Sequence, residues 1–146
     1  MKDTNNLLDY NNWSGTDYSE NTSGIYAWGN VNIISSNEYS NIGESSLKII
    51  ADDVSNWPCV DLFIITNPGK SVVGTFHIYN PNCDVFADLR VAQTVITNIS
   101  IPRSSFPKEV SLNGDVSSGT GNVSIRLYPR NINTPIYIDN INLISS

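Results

Sequence analysis

Residues 84–92 read Asp84-Val85-Phe86-Ala87-Asp88-Leu89-Arg90-Val91-Ala92. Val85, Ala87, Leu89 and Val91 alternate with Phe86, Asp88 and Arg90. A period of two is what a strand with one buried face produces, because successive side chains point to opposite sides. The pattern recurs in three other stretches. Val123, Ile125 and Leu127 are set against Ser124, Arg126 and Tyr128. Phe76 and Ile78 face away from Thr75, His77 and Tyr79, and Val60, Leu62 and Ile64 oppose Asp61, Phe63 and Ile65.

Outward from these four, short runs of β-branched and aromatic residues fill the chain, with almost no helical periodicity. They predict strands over Ile25–Ile34, Ser46–Ala51, Val60–Ile65, Ser71–Tyr79, Asp84–Ala92, Thr94–Ile101, Glu109–Leu112, Asn122–Tyr128 and Ile136–Leu143, with a short one at Asn6–Leu8. Turn residues punctuate them, as in Asn67-Pro68-Gly69, Asn80-Pro81-Asn82 and Ser117-Ser118-Gly119-Thr120-Gly121. Residues Asn11–Ser23 form the longest polar stretch, expected to be a surface loop. Nine or ten short strands at this spacing predict an all-β fold, a sandwich of two antiparallel sheets. A length of 146 residues, with no repeat or linker, makes residues 1–146 one domain.

Composition narrows the partners. Charged residues are only 15% of the chain, while Asn and Ser number 20 and 19, so hydrogen-bonding capacity comes mainly without charge. The net charge of −6 disfavours nucleic acid and anionic membrane surfaces, whose affinity rests on Lys and Arg. No apolar run approaches the roughly 20 residues of a membrane-spanning helix. Met1-Lys2-Asp3-Thr4-Asn5-Asn6 lacks the apolar core of a secretion signal. An extracellular or virion-surface location would then need a leader already removed, or export by another route. Cys59 and Cys83 either pair across strands or remain buried thiols; two cysteines make no framework.

The outward rows mix rings with hydrogen-bonding groups: Asp61, Phe63, His77, Tyr79, Phe86, Asp88, Arg90, Arg126 and Tyr128. If these strands share a sheet, one face carries aromatic rings beside arginines and carboxylates. A pyranose has the complementary chemistry, with an apolar C–H face for a ring and hydroxyls for Asp and Arg. Taken singly, each residue also fits a surface role, with rings packing under loops. Trp57, in Asn56-Trp57-Pro58 just before a strand, is either a sugar platform at the rim or a lid over the core. Tyr26 and Trp28 share one face of their strand, and Trp13 reads as a packing anchor for the first loop.

Catalytic constellations are missing. There is one histidine, His77, and no Gly-x-Ser-x-Gly elbow. Cys59 and Cys83 lack metal-ligand spacing. Asp61 and Asp88 are a carboxylate pair of the kind glycoside hydrolysis uses, but a domain this small rarely encloses a sugar in a deep cleft. The expectation is a binding protein, not an enzyme.

Three stretches carry a family resemblance. Asn6-Leu7-Leu8 followed by Trp13-Ser14-Gly15, then Gly43-Glu44-Ser45-Ser46-Leu47-Lys48-Ile49, then Ile136-Tyr137-Ile138-Asp139-Asn140-Ile141-Asn142-Leu143 bracket nearly the whole chain. In this order they resemble the carbohydrate-binding modules of the galactose-binding-like jelly-roll group, appended to xylanases and glucanases. The resemblance implies a polysaccharide or cell-surface glycan ligand, bound on a concave sheet face or at loop tips. It also implies a structural calcium ion where the first and last strands meet, with Asp139 and, nearest in type, Asp9 as ligands; the Phe-Glu pair common in the family's first run is missing here. A carboxylate pair plus backbone carbonyls would suit that hard cation; otherwise Asp139 accepts backbone N–H bonds at a strand end. A second reading is a structural or adhesion protein of a phage virion, a capsid decoration or tail component, that keeps the sandwich for oligomeric assembly.

Overall fold

The computed structural model describes residues 23–39, 46–66, 71–92, 94–115 and 121–145. These form ten strands: β1 (Ser23–Trp28), β2 (Val31–Ser36), β3 (Ser46–Ala51), β4 (Cys59–Thr66), β5 (Ser71–Tyr79), β6 (Val85–Val91), β7 (Thr94–Ile101), β8 (Lys108–Asp115), β9 (Gly121–Pro129) and β10 (Ile136–Ser145). They assemble as two five-stranded sheets. The front sheet has the order β1-β4-β9-β6-β7 and the back sheet the order β2-β3-β10-β5-β8. Every pairing is antiparallel. The expected sandwich is therefore present. No helix long and apolar enough to cross a membrane occurs among the described residues. The expected strand at Asn6–Leu8, most of the Asn11–Ser23 loop, Trp13 and Asp9 lie outside them.

The apolar rows read from the sequence build the core. Val85, Ala87, Leu89, Val123, Ile125, Leu127, Val60 and Leu62 of the front sheet meet Phe76, Ile78, Leu47, Ile49, Ile138 and Leu143 of the back sheet, all of them buried. A fully buried aliphatic or aromatic side chain of this size contributes about 1.5–3 kcal/mol. The sheets approach closely at Gly74, where an added Cβ would lie 2.8 Å from Ile125 Cδ1. Cys59 and Cys83 are buried free thiols, so the alternatives left open by the sequence resolve to unpaired cysteines. Burial pushes the Cys59 thiol up to about 11.

The stretch Ile25–Ile34, expected as one strand, is two strands in different sheets. The chain breaks at Gly29 and Asn30, where Val31 N donates to the Gly29 carbonyl at 2.9 Å. Gly29 has φ +81, and a Cβ there would meet Pro58 Cβ at 3.2 Å. Only glycine makes this turn without strain. Unbroken alternation from Ile25 to Ile34 hid the switch between sheets, because side-chain period says nothing about which partner a strand takes.

Candidate functional site

The outer face of the front sheet is built in registered tiers. One row runs through all five strands: Tyr26 opposes Asp61, Asp61 opposes Arg126, Arg126 opposes Asp88, and Asp88 opposes Asn98. One step toward the sheet end, Tyr128 opposes Phe86 and Phe86 opposes Ser100. One step the other way lie Phe63, Ser124, Arg90 and Val95.

The middle tier is a charge lattice. Arg126 Nε and Nη2 donate to the two oxygens of Asp61 at 3.1 and 2.9 Å. Arg90 Nε and Nη2 donate to the two oxygens of Asp88 at 3.0 and 3.2 Å, and Nη2 also donates to Tyr128 Oη at 3.0 Å. Such bidentate, charge-assisted pairs fix both partners geometrically. The hydrogen bond to Asp61 raises the Arg126 pKa against the effect of burial, and Asp88 does the same for Arg90, so both guanidiniums stay charged. Each carboxylate is thus engaged by an arginine.

Above the next tier stands Trp57. Its ring stacks on Phe86 with centroids 5.7 Å apart and planes at 20°, and meets Tyr128 edge-on at 6.0 Å. The Arg130 guanidinium covers the Trp57 ring at 3.7 Å, a cation–π contact, and its Nη1 donates to the Val54 carbonyl at 3.4 Å. Asn56 and Trp57 have φ of 60° and 53°. Proline favours an extended residue before it, yet Trp57 is left-handed. Each such residue costs about 1–2 kcal/mol, so the ring contacts and the Asp53–Ser55 turn hold a loop that is not locally preferred. Trp57 nevertheless remains 52% exposed and Phe86 39% exposed. They border a cavity of about 420 Å³ that Asp88, Asn98, Ser100 and Tyr128 also line.

Eight of the ten expected ligand-binding residues therefore share this face: Trp57, Asp61, Phe63, Phe86, Asp88, Arg90, Arg126 and Tyr128. His77 and Tyr79 do not. Both lie on β5, which pairs with β10 and β8 in the back sheet. Alternation places them on an outward row but does not say which sheet carries it. His77 Nε2 sits 3.6 Å from Glu109 Oε2. Tyr79 stacks on Tyr137 at 5.9 Å and lies 5.2 Å from Tyr39. Conversely, Asn98, Ser100 and Arg130 were not picked out from the sequence. Asn98 and Ser100 lie on β7, where a bulge interrupts the alternation and Ile101 alone is buried, so no clean row marks them; Arg130, one residue past β9, carries no periodic signal.

Asp139 lies on the outer side of the back sheet, opposite His77, and is completely buried. Its Oδ1 accepts from Asn140 N at 2.8 Å, where the strand bulges. Ser46 lies one position past the Leu47–Ile138 pair, as Asp139 does on β10. Its buried Oγ has no hydrogen-bond partner. An orphaned hydroxyl one strand over from a buried carboxylate has the oxygen chemistry of a hard cation's ligands, although no group of three His, Cys, Asp or Glu that could hold a metal occurs among the described residues.

Known structures repeat this architecture. The CBM22-1 xylan-binding domain from Paenibacillus barcinonensis superposes with a TM-score of 0.59 at 14% identity, covering 90% of this chain and 89% of that one. The TmCBM61 module, solved with β-1,4-galactotriose, superposes at 0.64 and 14% identity, covering 97% and 99%. The fold is the jelly roll of carbohydrate-binding modules. Part of the enzymatically active domain of tailspike protein 4 of bacteriophage CBA120 also superposes, with a TM-score of 0.71 and 16% identity; the match covers 97% of this chain but only 22% of the tailspike chain. No family model and no curated sequence matches the chain.

Proposed function

We propose that this module-fold domain binds a glycan on its front sheet without transforming it. The observation that carries the reading is Trp57 held above Phe86 at the mouth of a cavity whose other walls are Asp88, Asn98, Ser100 and Tyr128, with Ala87 and Ile99. The exposed parts of the stacked Trp57 and Phe86 rings offer apolar surface to the C–H face of a pyranose, while the amide, hydroxyl and carboxylate groups meet its hydroxyls. The jelly-roll neighbours named for xylan and for β-1,4-galactotriose support a sugar ligand. A non-catalytic role is supported by Asp61 and Asp88, each tied to an arginine through two hydrogen bonds and not poised as a free acid–base pair. Affinity on an open face is modest, since little surface is desolvated. Titration with soluble xylan, mixed-linkage glucan and galactan tests the reading; wild-type protein that binds no glycan overturns it.

Calcium belongs to the same proposal. Asp139 would be one ligand and Asp9, outside the described residues, a second, with the ion closing the Ser46 site and stiffening the sandwich.

The tailspike neighbour favours a second reading, in which the domain is part of an extracellular or virion-surface assembly that adheres to a cell-surface glycan. A stable oligomer in size-exclusion chromatography with the front face covered would favour assembly over simple binding.

A further inference from the structure

Two cavities open side by side around Phe86. The first is the one under Trp57. The second, about 410 Å³, lies at the loop end of the sheet, between Asp84, Val85, Pro102 and Arg130. Phe86 and Ser100 line both. Their lining residues follow one direction. Asp88, Phe86 and Asp84 are successive outward positions along β6 and its approach; Asn98, Ser100 and Pro102 are successive outward positions along β7 and its exit. Four strand residues span about 13 Å. The two hollows therefore make one path parallel to these strands.

The loop end of that path is firmly built. Arg130 N donates to the Asp84 carbonyl at 2.8 Å, and Asp84 N donates to Asn131 Oδ1 at 2.8 Å. Arg103 grips the Asp84 carboxylate at 3.2 Å and holds it below the usual carboxylate range. Asn80, fully buried, donates to the carbonyls of Cys83 and Pro102 at 2.9 and 3.2 Å. Across the sheet the situation is opposite. Asp61 and Arg126 are locked together and line neither cavity, so the middle tier offers a packed ion pair where a transverse ligand would need a groove.

We propose that a linear glycan lies along β6 and β7, over Phe86, and leaves the sheet at the loop end between Ser100 and Arg130. This rests on the glycan-binding reading and deepens it. The ligand is a chain of hydroxylated pyranoses long enough to fill both hollows, not a single sugar. Arg130 and Ser100 offer donors to ring hydroxyls at the outer subsite, and Asp84 an acceptor. Phe86 is the shared platform.

The experiment is calorimetric titration of the full chain with xylo-, cello- and β-1,4-galacto-oligosaccharides from disaccharide to hexasaccharide. Wild type is compared with Ser100→Tyr, Asn98→Ala and Trp28→Ala, with melting curves for each. Ser100, Asn98 and Trp28 are all exposed, so the fold should persist. Affinity rising with chain length, lost about tenfold in Ser100→Tyr and Asn98→Ala and unchanged in Trp28→Ala, is the expected result. Loss in Trp28→Ala, on the opposite edge strand, means the chain crosses the five strands; that overturns the path and leaves glycan binding standing. Affinity independent of chain length overturns the second subsite alone. No binding of any oligosaccharide by wild type overturns both readings.

Discussion

On the front sheet Trp57 and Phe86 leave 52% and 39% of their surface exposed beside a cavity, whereas on the back sheet Tyr137 leaves only 7%. The back cluster is no poorer in rings. Tyr39, Tyr79 and Tyr137 lie within 5.2–6.1 Å of one another. There, however, the polar groups are used up in tying the rings down. Glu38 accepts from the Tyr137 hydroxyl and from Lys48, and Lys48 lies over the Tyr137 ring at 5.9 Å. On the front, Arg90, Arg126 and their carboxylates pair with each other below the rings; Trp57 stacks on Phe86 and carries Arg130 on its ring, yet both rings keep a large exposed area beside the cavity. Aromatic content alone does not mark a binding face; the difference lies in what the neighbouring charges are bonded to.

The largest effect should come from breaking the front lattice. Asp61→Ala leaves Arg126 charged and nearly buried without its carboxylate, at an expected cost of about 2–3 kcal/mol in urea unfolding. Asp61→Leu combined with Arg126→Met should recover much of that loss. Glu38→Ala on the back removes a carboxylate with a 52%-exposed side chain and should shift the midpoint little. Equal losses from Asp61→Ala and Glu38→Ala would erase the distinction between the faces.

Next in size is the buried carboxylate of the back sheet. If calcium sits at Asp139, a chelator should lower the melting temperature by about 5 °C, corresponding to about 2 kcal/mol of linked binding. Added calcium should restore it, and Asp139→Asn should abolish the response. Identical melting with chelator and with calcium would remove the ion from the account.

Binding itself should separate the faces by about tenfold. Trp57→Ala takes away the exposed platform and should weaken glycan affinity by at least that factor. Tyr39→Ala, on the back, should leave affinity unchanged. If Tyr39→Ala proves as damaging as Trp57→Ala, the ligand lies on the wrong sheet for this reading.

The sequence made the sandwich readable because alternation, turns and buried rows are local properties. Val85 to Val91 declares one buried face whatever its neighbours do. Sheet membership is different. His77 and Tyr79 look identical in pattern to Arg126 and Tyr128, and only the pairing of β5 with β10 sends them to the other side. The Gly29 break was invisible for a related reason: one flexible residue inside an apolar run changes the partner without changing the period. Trp57 was legible as a residue of interest, but its contacts with Phe86 and Arg130 join positions far apart in the chain. Those depend on loops meeting at one end of the fold.

The smallest predicted effect is a pH dependence that should be confined mostly to the back face. Burial pushes the Tyr137 phenol up to about 12, with its bond to Glu38 acting in the same direction; an unperturbed tyrosine titrates near 10. The folded state therefore favours the neutral phenol. That contribution is complete below about pH 10 and is lost as pH rises from about 10 through 12. The front arginines, whose pKa values are raised, keep their charge across this window. Cys59, raised to about 11, adds to the same alkaline decline from within the front sheet, so the curve for wild type is composite. Tyr137→Phe separates the two. It removes the phenol while keeping the ring, and should flatten the fall in stability between pH 10 and 12 without altering glycan affinity at neutral pH. An unchanged alkaline profile in Tyr137→Phe would remove the Tyr137 phenol from the account and assign the decline to Cys59 and to Tyr39, whose phenol burial also raises.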